Sequence, residues 1–354
     1  MRCRNLEAAS LFGRSVNLLI AASEAFDSPE DKWFYKTILG HILCYLGLHH
    51  VYLLHYQQAF ELLGEAISLL DKSMAFIEKA QAQIILSWLL QIQGQIQKSI
   101  MILEEARAIL IEESDDWWYA LATAQLAWAY LSIGEIQKSE KLYQEGFRLV
   151  IPGDLRLEIP LRNGIARTSY LQGDAVKAER LLKENLDLSF QLGSKRQTAI
   201  CYLYLGQVAL ATSQIELAEI NFNESANILS EFGESNELAL SLVYSGICLA
   251  RRLDTKAARE KFLKAIRIGQ SLNIFYLVYW GLINLARIPI LEGRPEKALE
   301  ILLVLQHYSV ELKVAKDDSV GLLAELQAMH SLDQIAAASD GTEGMGIDSL
   351  LERI

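Results

Sequence analysis

The sequence predicts an all-α protein, a solenoid of about seven helix-turn-helix repeats, and three observations support this fold class. The 354 residues are 51% hydrophobic and 22% charged, which is typical of a chain that forms a packed core. Leu, Ala, Glu, Gln and Ile dominate and only five prolines occur, which favours helices. Small and large apolar residues recur in one phase every 39 or 40 residues, and such self-similarity is typical of a repeat array.

The repeat is defined by a small residue that returns with this nearly constant step. These small residues are Ala59, Ser99, Ser139, Ala178, Ala218, Ala258 and Ala298. The large apolar residues four positions later are Leu63, Leu103, Tyr143, Leu182, Phe222, Phe262 and Leu302. The small residues twelve positions earlier are Gly47, Ser87, Ala127, Ala166, Gly206, Gly246 and Ala286. Because closely crossing helices need one small surface to seat a large side chain, we expect the two helices of each repeat to pack at these positions.

Two turns alternate between the predicted helices. The turn inside a repeat falls at Gly94, Gly134, Gly173, Ser213 and Gly293, whereas Leu54 and Leu253 stand at the same phase without a typical turn side chain. The turn between repeats falls at Gly153, Gly193, Gly233 and Asn273, all residue types suited to positive φ. The predicted helix N-caps are Ser114, Asp174, Ser194 and Ser235. Pro289, inside a predicted helix, is expected to kink that helix or to free a carbonyl group.

The segment "QLAWAYLSIGEIQKSEKLYQEGF" (residues 125–147) resembles a tetratricopeptide repeat (TPR). Ala127, Tyr130, Ser139 and Tyr143 occupy the family's small, aromatic, small and aromatic positions. The period of about 40 residues is longer than the family's usual one. In this respect the chain resembles the C-terminal TPR sensor or scaffold regions of bacterial STAND signal-transduction ATPases and related large transcriptional activators. The resemblance implies a right-handed superhelical solenoid with flanking helices.

Three regions are expected on this basis. Residues 1–32 are predicted to form an N-terminal helix and a connecting loop, residues 33–314 the array of seven TPR-like repeats, and residues 315–354 a C-terminal capping helix and a flexible tail. An amphipathic helix is favoured over a signal peptide at the N-terminus, because Glu7, Arg14 and Asn17 interrupt its apolar run.

The resemblance also implies that the first helix of each repeat lines a concave groove that binds a protein or peptide segment. The expected groove residues are Tyr45, Trp88, Gln91, Gln125, Trp128, Asn163, Arg167, Tyr170, Tyr204, Gln207, Tyr244, Asn284 and Arg287. Aromatic anchors would supply contact area, and Asn or Arg would fix the ligand backbone. The alternative is that many of these aromatic residues pack between adjacent repeats.

No catalytic residue, metal ligand set or cofactor is expected. The chain has no phosphate-binding loop, and the helical phase brings no nucleophile to a general base. His41, Cys44, His49, His50 and His55 lie close in sequence, but no His-x-x-x-His pair or second cysteine completes a metal site. The acidic segment Glu112–Trp118 fits a helix start better than a paired-carboxylate site of a helical-toroid enzyme.

The composition argues against nucleic-acid and membrane partners. The net charge is −11, and Lys and Arg are spread along the chain, so a nucleic-acid partner is not expected. No long apolar run indicates a membrane partner, and the four cysteines without CxxC pairing indicate buried thiols in a reducing cytoplasm. We therefore expect a protein-interaction or sensor scaffold in a bacterial signalling system, with self-association left open. The alternatives are a receptor for a short signalling peptide and, less favoured, a helical-toroid enzyme.

Overall fold

The computed structural model describes residues 2–22, 28–306, 313–329, 342 and 344–353. The described residues contain α-helices and no strand. In chain order the helices are α1 (Arg2–Ala21), α2 (Pro29–Tyr52), α3 (Tyr56–Lys72), α4 (Phe76–Ile92), α5 (Ile96–Glu112), α6 (Asp116–Ser132), α7 (Ile136–Leu149), α8 (Leu155–Leu171) and α9 (Ala175–Leu192). They continue with α10 (Lys195–Ala211), α11 (Ile215–Ser230), α12 (Asn236–Arg251), α13 (Thr255–Ser271), α14 (Phe275–Leu291), α15 (Pro295–Leu305), α16 (Lys313–Met329) and α17 (Ile347–Arg353). The all-α prediction is confirmed.

The helices form two compact units, the first comprising Met1–Leu131 with Glu135–Thr168 and the second Ser132–Gly134 with Ser169–Ile354. In the first unit α1 packs on α2, α2 on α3, α3 on α4 and α4 on α5. In the second unit each helix from α9 to α15 likewise packs on the next one. Each unit is therefore a stack of TPR-like helix pairs, as the repeat period predicts.

The helix-pair packing follows the predicted positions. A Cβ atom added to Gly206 would lie 2.6 Å from the Phe222 ring, and one added to Gly246 would lie 2.6 Å from the Phe262 ring. Both phenylalanines are fully buried. The glycines therefore let the partner helix approach closely enough for the ring to be seated in the groove between side chains.

Left-handed residues mark both kinds of turn. Inside the repeats, positive φ angles occur at Leu54, Gly94, Gly134, Gly173, Ser213, Leu253 and Gly293. Between repeats they occur at Met74, Ser114, Gly153, Gly193, Gly233 and Asn273. The predicted turn positions are thus confirmed, and the leucines at two joints adopt the same conformation as the glycines at the others.

Three of the four predicted helix N-caps are present in the structure. The side chains of Asp174, Ser194 and Ser235 accept hydrogen bonds from backbone N–H groups three residues ahead, which confirms three predicted N-caps. The prediction for Ser114 was wrong, because that residue takes the left-handed turn conformation (φ 57°) and Asp115 accepts the hydrogen bond from Trp118 N instead.

Two further sequence predictions concern Pro289 and the cysteines. Helix α14 continues past Pro289 to Leu291. The side chains of Cys44, Cys201 and Cys248 are buried and form no disulfide, as predicted, and burial raises the pKa of Cys44 and of Cys248 to about 12. The Cys3 side chain lies outside the described residues.

Candidate protein-interaction surfaces

All thirteen predicted groove residues lie on α2, α4, α6, α8, α10, α12 and α14, the first helices of the pairs. Ten of them are partly exposed. The other three, Gln91, Asn163 and Asn284, are 5%, 3% and 1% exposed. A side chain this deeply covered cannot reach a ligand on the surface without local opening.

Two of the buried amides have clear structural tasks. Gln91 Nε2 donates to Ser99 Oγ (2.9 Å) and to the backbone oxygen of Gln125 (3.1 Å), so it joins α4 to α5 and to α6. The Gln125 side chain continues this network by accepting from Ser87 Oγ at 2.7 Å. Asn284 Nδ2 donates to the Trp280 backbone oxygen in its own helix. Buried amides need such partners, so these contacts favour a structural role.

In the first unit, Tyr45 is partly covered by the N-terminal helix. Its ring stacks on Phe12 of α1, with the centroids 6.1 Å apart, and lies 5.0 Å from the His41 ring. Helix α1 also contributes Asn5, whose Oδ1 accepts from His49 Nδ1 at 3.2 Å. The face of α2 that carries Tyr45 is thus partly covered by a segment of the same chain, and Tyr45 itself remains partly exposed.

Further along the first unit, Trp88 of α4 stands edge-on to Tyr52 of α2 at 5.5 Å. Trp128 and Gln125 of α6 and Arg167 of α8 are partly exposed on first helices. This surface combines large rings with amide and guanidinium donors, which are the groups that anchor and orient a peptide backbone.

In the second unit, Tyr244 of α12 is held between two other rings. It stacks on Phe222 at 5.0 Å with an interplanar angle of 10°, and it meets Trp280 edge-on at 5.0 Å. Tyr204 of α10 packs against the same core, which includes Leu203 and Phe222. Both tyrosines nevertheless remain partly exposed, so their rings pack against the core and still offer surface to solvent.

Tyr170, Gln207 and Arg287 complete the predicted set. Each is partly exposed, on α8, α10 and α14 respectively. With Tyr204 and Tyr244, the Gln207 and Arg287 side chains give the first-helix surface of the second unit the same mixture of aromatic and donor groups as that of the first unit.

The histidines form a small polar cluster at the end of α2. The Nδ1 atoms of His50 and His55 lie 3.3 Å apart, so one of the two nitrogens must donate and the other accept. Burial lowers the pKa of His49, and burial together with His55 and His49 lowers the pKa of His50. Among the described residues, no group of three or more His, Cys, Asp and Glu side chains is arranged to hold a metal ion.

Hydrogen bonds and a ring contact fix the acidic segment at the start of α6. Trp117 Nε1 donates to Asp154 Oδ2 at 2.8 Å, and Trp117 lies edge-on to Trp118. Hydrogen bonds from Arg156 and from Trp117 lower the pKa of Asp154. Together with the Asp115 cap, these contacts give the segment a structural explanation as a helix start.

A cationic residue that the groove prediction did not include organises the next pair of helices. Arg107 of α5 donates to Thr123 Oγ1 (2.9 Å), to the Tyr119 hydroxyl (2.6 Å) and to Glu145 Oε1 (2.7 Å), and it lies over the Tyr119 ring. Tyr119 also donates to Glu145. This network joins α5, α6 and α7, and its sequence signal was only a set of scattered charged residues.

The pairs of antiparallel helices, their 40-residue phase and their surface of partly exposed rings define a helical-repeat scaffold of the TPR type, a class of fold that is typically non-catalytic. The chain belongs to the family described as the MalT-like TPR region, whose model matches residues 40–341. No curated protein matches the chain significantly.

Solved structures support the same fold. The chain is similar to a Rap protein complexed with Competence and Sporulation Factor (TM-score 0.58, 14% identity), covering 93% of this chain and 100% of that one. It is also similar to a signal-transduction ATPase with numerous domains that carries a TPR sensor, from Pyrococcus horikoshii (TM-score 0.55, 14% identity), covering 98% of this chain and 54% of that one. A third similar structure is aspartyl phosphate phosphatase F from Bacillus subtilis (TM-score 0.54, 14% identity), with 85% and 73% coverage.

Within the part of the chain that the structure describes, no helix is both long enough and apolar enough to cross a membrane.

Proposed function

We propose that the chain is a protein-interaction scaffold that binds a peptide or protein segment on the first-helix surfaces of its repeats, as a regulatory part of a bacterial signalling system. The observation that carries the proposal is the Tyr244 ring, fixed between Phe222 and Trp280 and still partly exposed. A ring that is already immobilised loses little conformational entropy when a ligand covers it, which makes it a good anchor.

The proposed surface consists of the ten partly exposed residues only. In the first unit these are Tyr45, Trp88, Gln125, Trp128 and Arg167. In the second unit they are Tyr204, Gln207, Tyr244 and Arg287, with Tyr170 on α8 as the tenth residue. We leave out Gln91, Asn163 and Asn284 because their burial favours structural roles.

A receptor for a short signalling peptide is the second candidate. It is favoured by the similarity to the Rap protein whose structure contains Competence and Sporulation Factor. Under this alternative the ligand is a free peptide rather than a segment of a larger partner. A helical-toroid enzyme is less favoured, because the first-helix surfaces present aromatic and amide side chains rather than paired carboxylates.

The test uses selection from a library of random peptides displayed on phage, with the full chain as bait. One variant per unit removes the proposed anchors: Trp128→Ala with Arg167→Ala, and Tyr244→Ala with Arg287→Ala. Selected peptides should bind at least one of these variants about tenfold or more weakly than the parent, since buried aromatic and Arg anchors dominate binding energy.

Phe190→Ala is the matched control, because Phe190 is 59% exposed on α9, a second helix. It removes an aromatic ring of similar size and should leave binding unchanged. Peptides that bind both double variants as tightly as the parent would refute the proposed surface. Binding to short free peptides alone, with no binding when the same sequence lies inside a folded protein, would favour the receptor alternative.

A further inference from the structure

Two imidazole rings meet at the turn between α2 and α3. His50 lies in the last turn of α2, and His55 is the residue just before α3. Between them Leu54 has a φ of 66°; its N–H donates to the Val51 oxygen at 3.1 Å, and the His55 N–H donates to the His50 oxygen at 2.9 Å. This pair of backbone bonds is a Schellman motif, which typically brings the side chains of its first and last residues into contact. The backbone therefore holds His50 beside His55.

The later repeats have the same backbone bond with other side chains. Asp174 and Asp254, at the position of His55, each accept a hydrogen bond from the first turn of the next helix. His55 makes no such cap for α3. The bond joins Leu90 to Gln95, Tyr130 to Glu135, Ser169 to Asp174, Ala209 to Gln214, Leu249 to Asp254 and Pro289 to Arg294. The first joint thus lacks the side-chain cap and has a pair of imidazoles instead.

The spacing of the two rings fits a tetrahedral metal ion. The Nδ1 atoms of His50 and His55 are 3.3 Å apart, and their ring centroids are 5.4 Å apart. Two imidazole nitrogens at about 2.0–2.1 Å from a tetrahedral Zn²⁺ are about 3.3–3.4 Å apart, with ring centres about 5.1–5.3 Å apart. Ligands at right angles, as in octahedral or square-planar sites, would be only about 2.8–3.0 Å apart. Both separations therefore favour tetrahedral coordination.

The rings are also accessible and suited to bind a cation. His55 is exposed and His50 is partly exposed. Burial, together with His55 and His49, lowers the pKa of His50, and the neutral imidazole is the form that binds a metal. His49 is held elsewhere, because its Nδ1 bonds with Asn5 Oδ1 of α1. Since the described residues contain no cluster of three such ligands, water would fill the other positions.

We propose that His50 and His55 bind one Zn²⁺ ion through their Nδ1 atoms, with two water molecules completing a tetrahedral site. The ring that donates the hydrogen bond between the two Nδ1 atoms would move its proton to Nε2, so that both Nδ1 lone pairs face the ion. The ion would link the end of α2 to the start of α3 across the Leu54 turn. Because the two ligands are close only in the closed helix pair, zinc would stabilise that pair.

The affinity of the full chain for Zn²⁺ is measured by isothermal titration calorimetry. His50→Gln and His55→Ser should each raise the Kd about tenfold or more, because even groups that only orient zinc ligands typically contribute that much. Serine is chosen because it is a good N-cap residue and supports the start of α3. The control is His41→Gln, which removes an imidazole of α2 that lies beside Tyr45 instead. It should leave the Kd within about twofold of the parent.

Co²⁺ in place of Zn²⁺ tests the geometry. Tetrahedral Co²⁺ absorbs visible light far more strongly than six-coordinate Co²⁺, so the parent should give an intense visible band that His55→Ser loses. Thermal melts followed by circular dichroism provide a second readout and show whether each variant is folded. Zn²⁺ at about a hundred times its Kd should raise the Tm of the parent by about 5 °C or more. The Tm of the double variant His50→Gln with His55→Ser should not change.

Several results would overturn the proposal. A Kd above about 1 mM, or the same Kd in the parent and in both histidine variants, would mean an adventitious ion only. Equal loss of binding in His41→Gln would place the ion elsewhere. A weakly absorbing, six-coordinate Co²⁺ complex would refute the tetrahedral site. Zinc-dependent dimerisation in sedimentation velocity, abolished in the double variant, would assign the remaining positions to the histidines of a second copy rather than to water.

Discussion

The close packing of Gly206 against Phe222 can be tested with a single methyl group. The Cβ of Gly206→Ala would lie 2.6, 2.7 and 2.9 Å from three atoms of the Phe222 ring. Real Cβ atoms do not approach so closely, and the fully buried ring has no free space to enter. Overpacking of this kind costs about 1–3 kcal/mol, whereas replacing a helical glycine gains only about 0.5–1 kcal/mol.

We therefore expect Gly206→Ala to destabilise the second unit by about 1–2 kcal/mol, which lowers Tm by about 2–4 °C for each kcal/mol. Thermal and urea unfolding followed by far-UV circular dichroism measure this loss. The control is Gly64→Ala, because Gly64 lies on the exposed side of α3 and an added Cβ there meets no atom within 4 Å. That variant should be stabilised by about 0.5–1 kcal/mol.

A double-mutant cycle tests the cause. Replacing the ring by the smaller aliphatic side chain in Phe222→Leu removes the clash. The last repeat already has Ala and Leu at the equivalent positions, as Ala286 and Leu302. The double variant should be more stable than the sum of the two single effects by about 1 kcal/mol or more. If the two effects add without coupling, or if Gly206→Ala is as stable as Gly64→Ala, the reasoning about close approach is refuted.

Three other perturbations have defined outcomes. Asp174→Ala should lower the free energy of unfolding by about 1 kcal/mol, because it removes the acceptor for the first turn of α9; unchanged urea unfolding would contradict the cap. The Cys44 thiol should resist alkylation by iodoacetamide at pH 8 until the chain is unfolded, since burial raises its pKa to about 12. Burial raises the pKa of Glu237, but the ion pair with Arg196 outweighs burial, so the folded-state pKa lies below the unfolded one. The Glu237 carboxylate should therefore stabilise the fold at a pH above its unfolded pKa, and this stabilisation should be lost as the pH falls through its folded pKa. Arg196→Met should cost about 2 kcal/mol at neutral pH and abolish this acid-dependent loss, as pH-dependent thermal melts would show.

The repeat phase predicted the fold because the same pattern of small, large apolar and turn residues recurs in every repeat. The pattern is weak in one copy but specific over seven. Neither Leu54 nor Leu253 has the side chain of a left-handed turn residue, yet the phase located both turns correctly. Ser114 shows the limit of this approach, because serine is a plausible cap by residue type and only the backbone geometry assigns the cap to Asp115.

The candidate site was less predictable, because helical phase gives the side of a helix but not the depth at which a side chain is covered. Gln91 lies on the expected helix, but its amide is used between α4, α5 and α6. Tyr45 is overlaid by Phe12, a contact that depends on where α1 docks.

The leucines at two of the joints have a mechanical consequence. An L-residue with a Cβ atom pays about 1–2 kcal/mol for the left-handed conformation, a cost that glycine avoids. Leu54 and Leu253 bear this cost as long as their helix pairs stay closed, with φ angles of 66° and 64°. Opening a pair releases the strain, so closure is less favourable at these joints than at an otherwise identical joint with glycine. Leu54 in the first unit and Leu253 in the second, like the other non-glycine turn residues Met74, Ser114, Ser213 and Asn273, are thus places where a pulling force or a competing partner would meet less resistance from the turn than at a glycine.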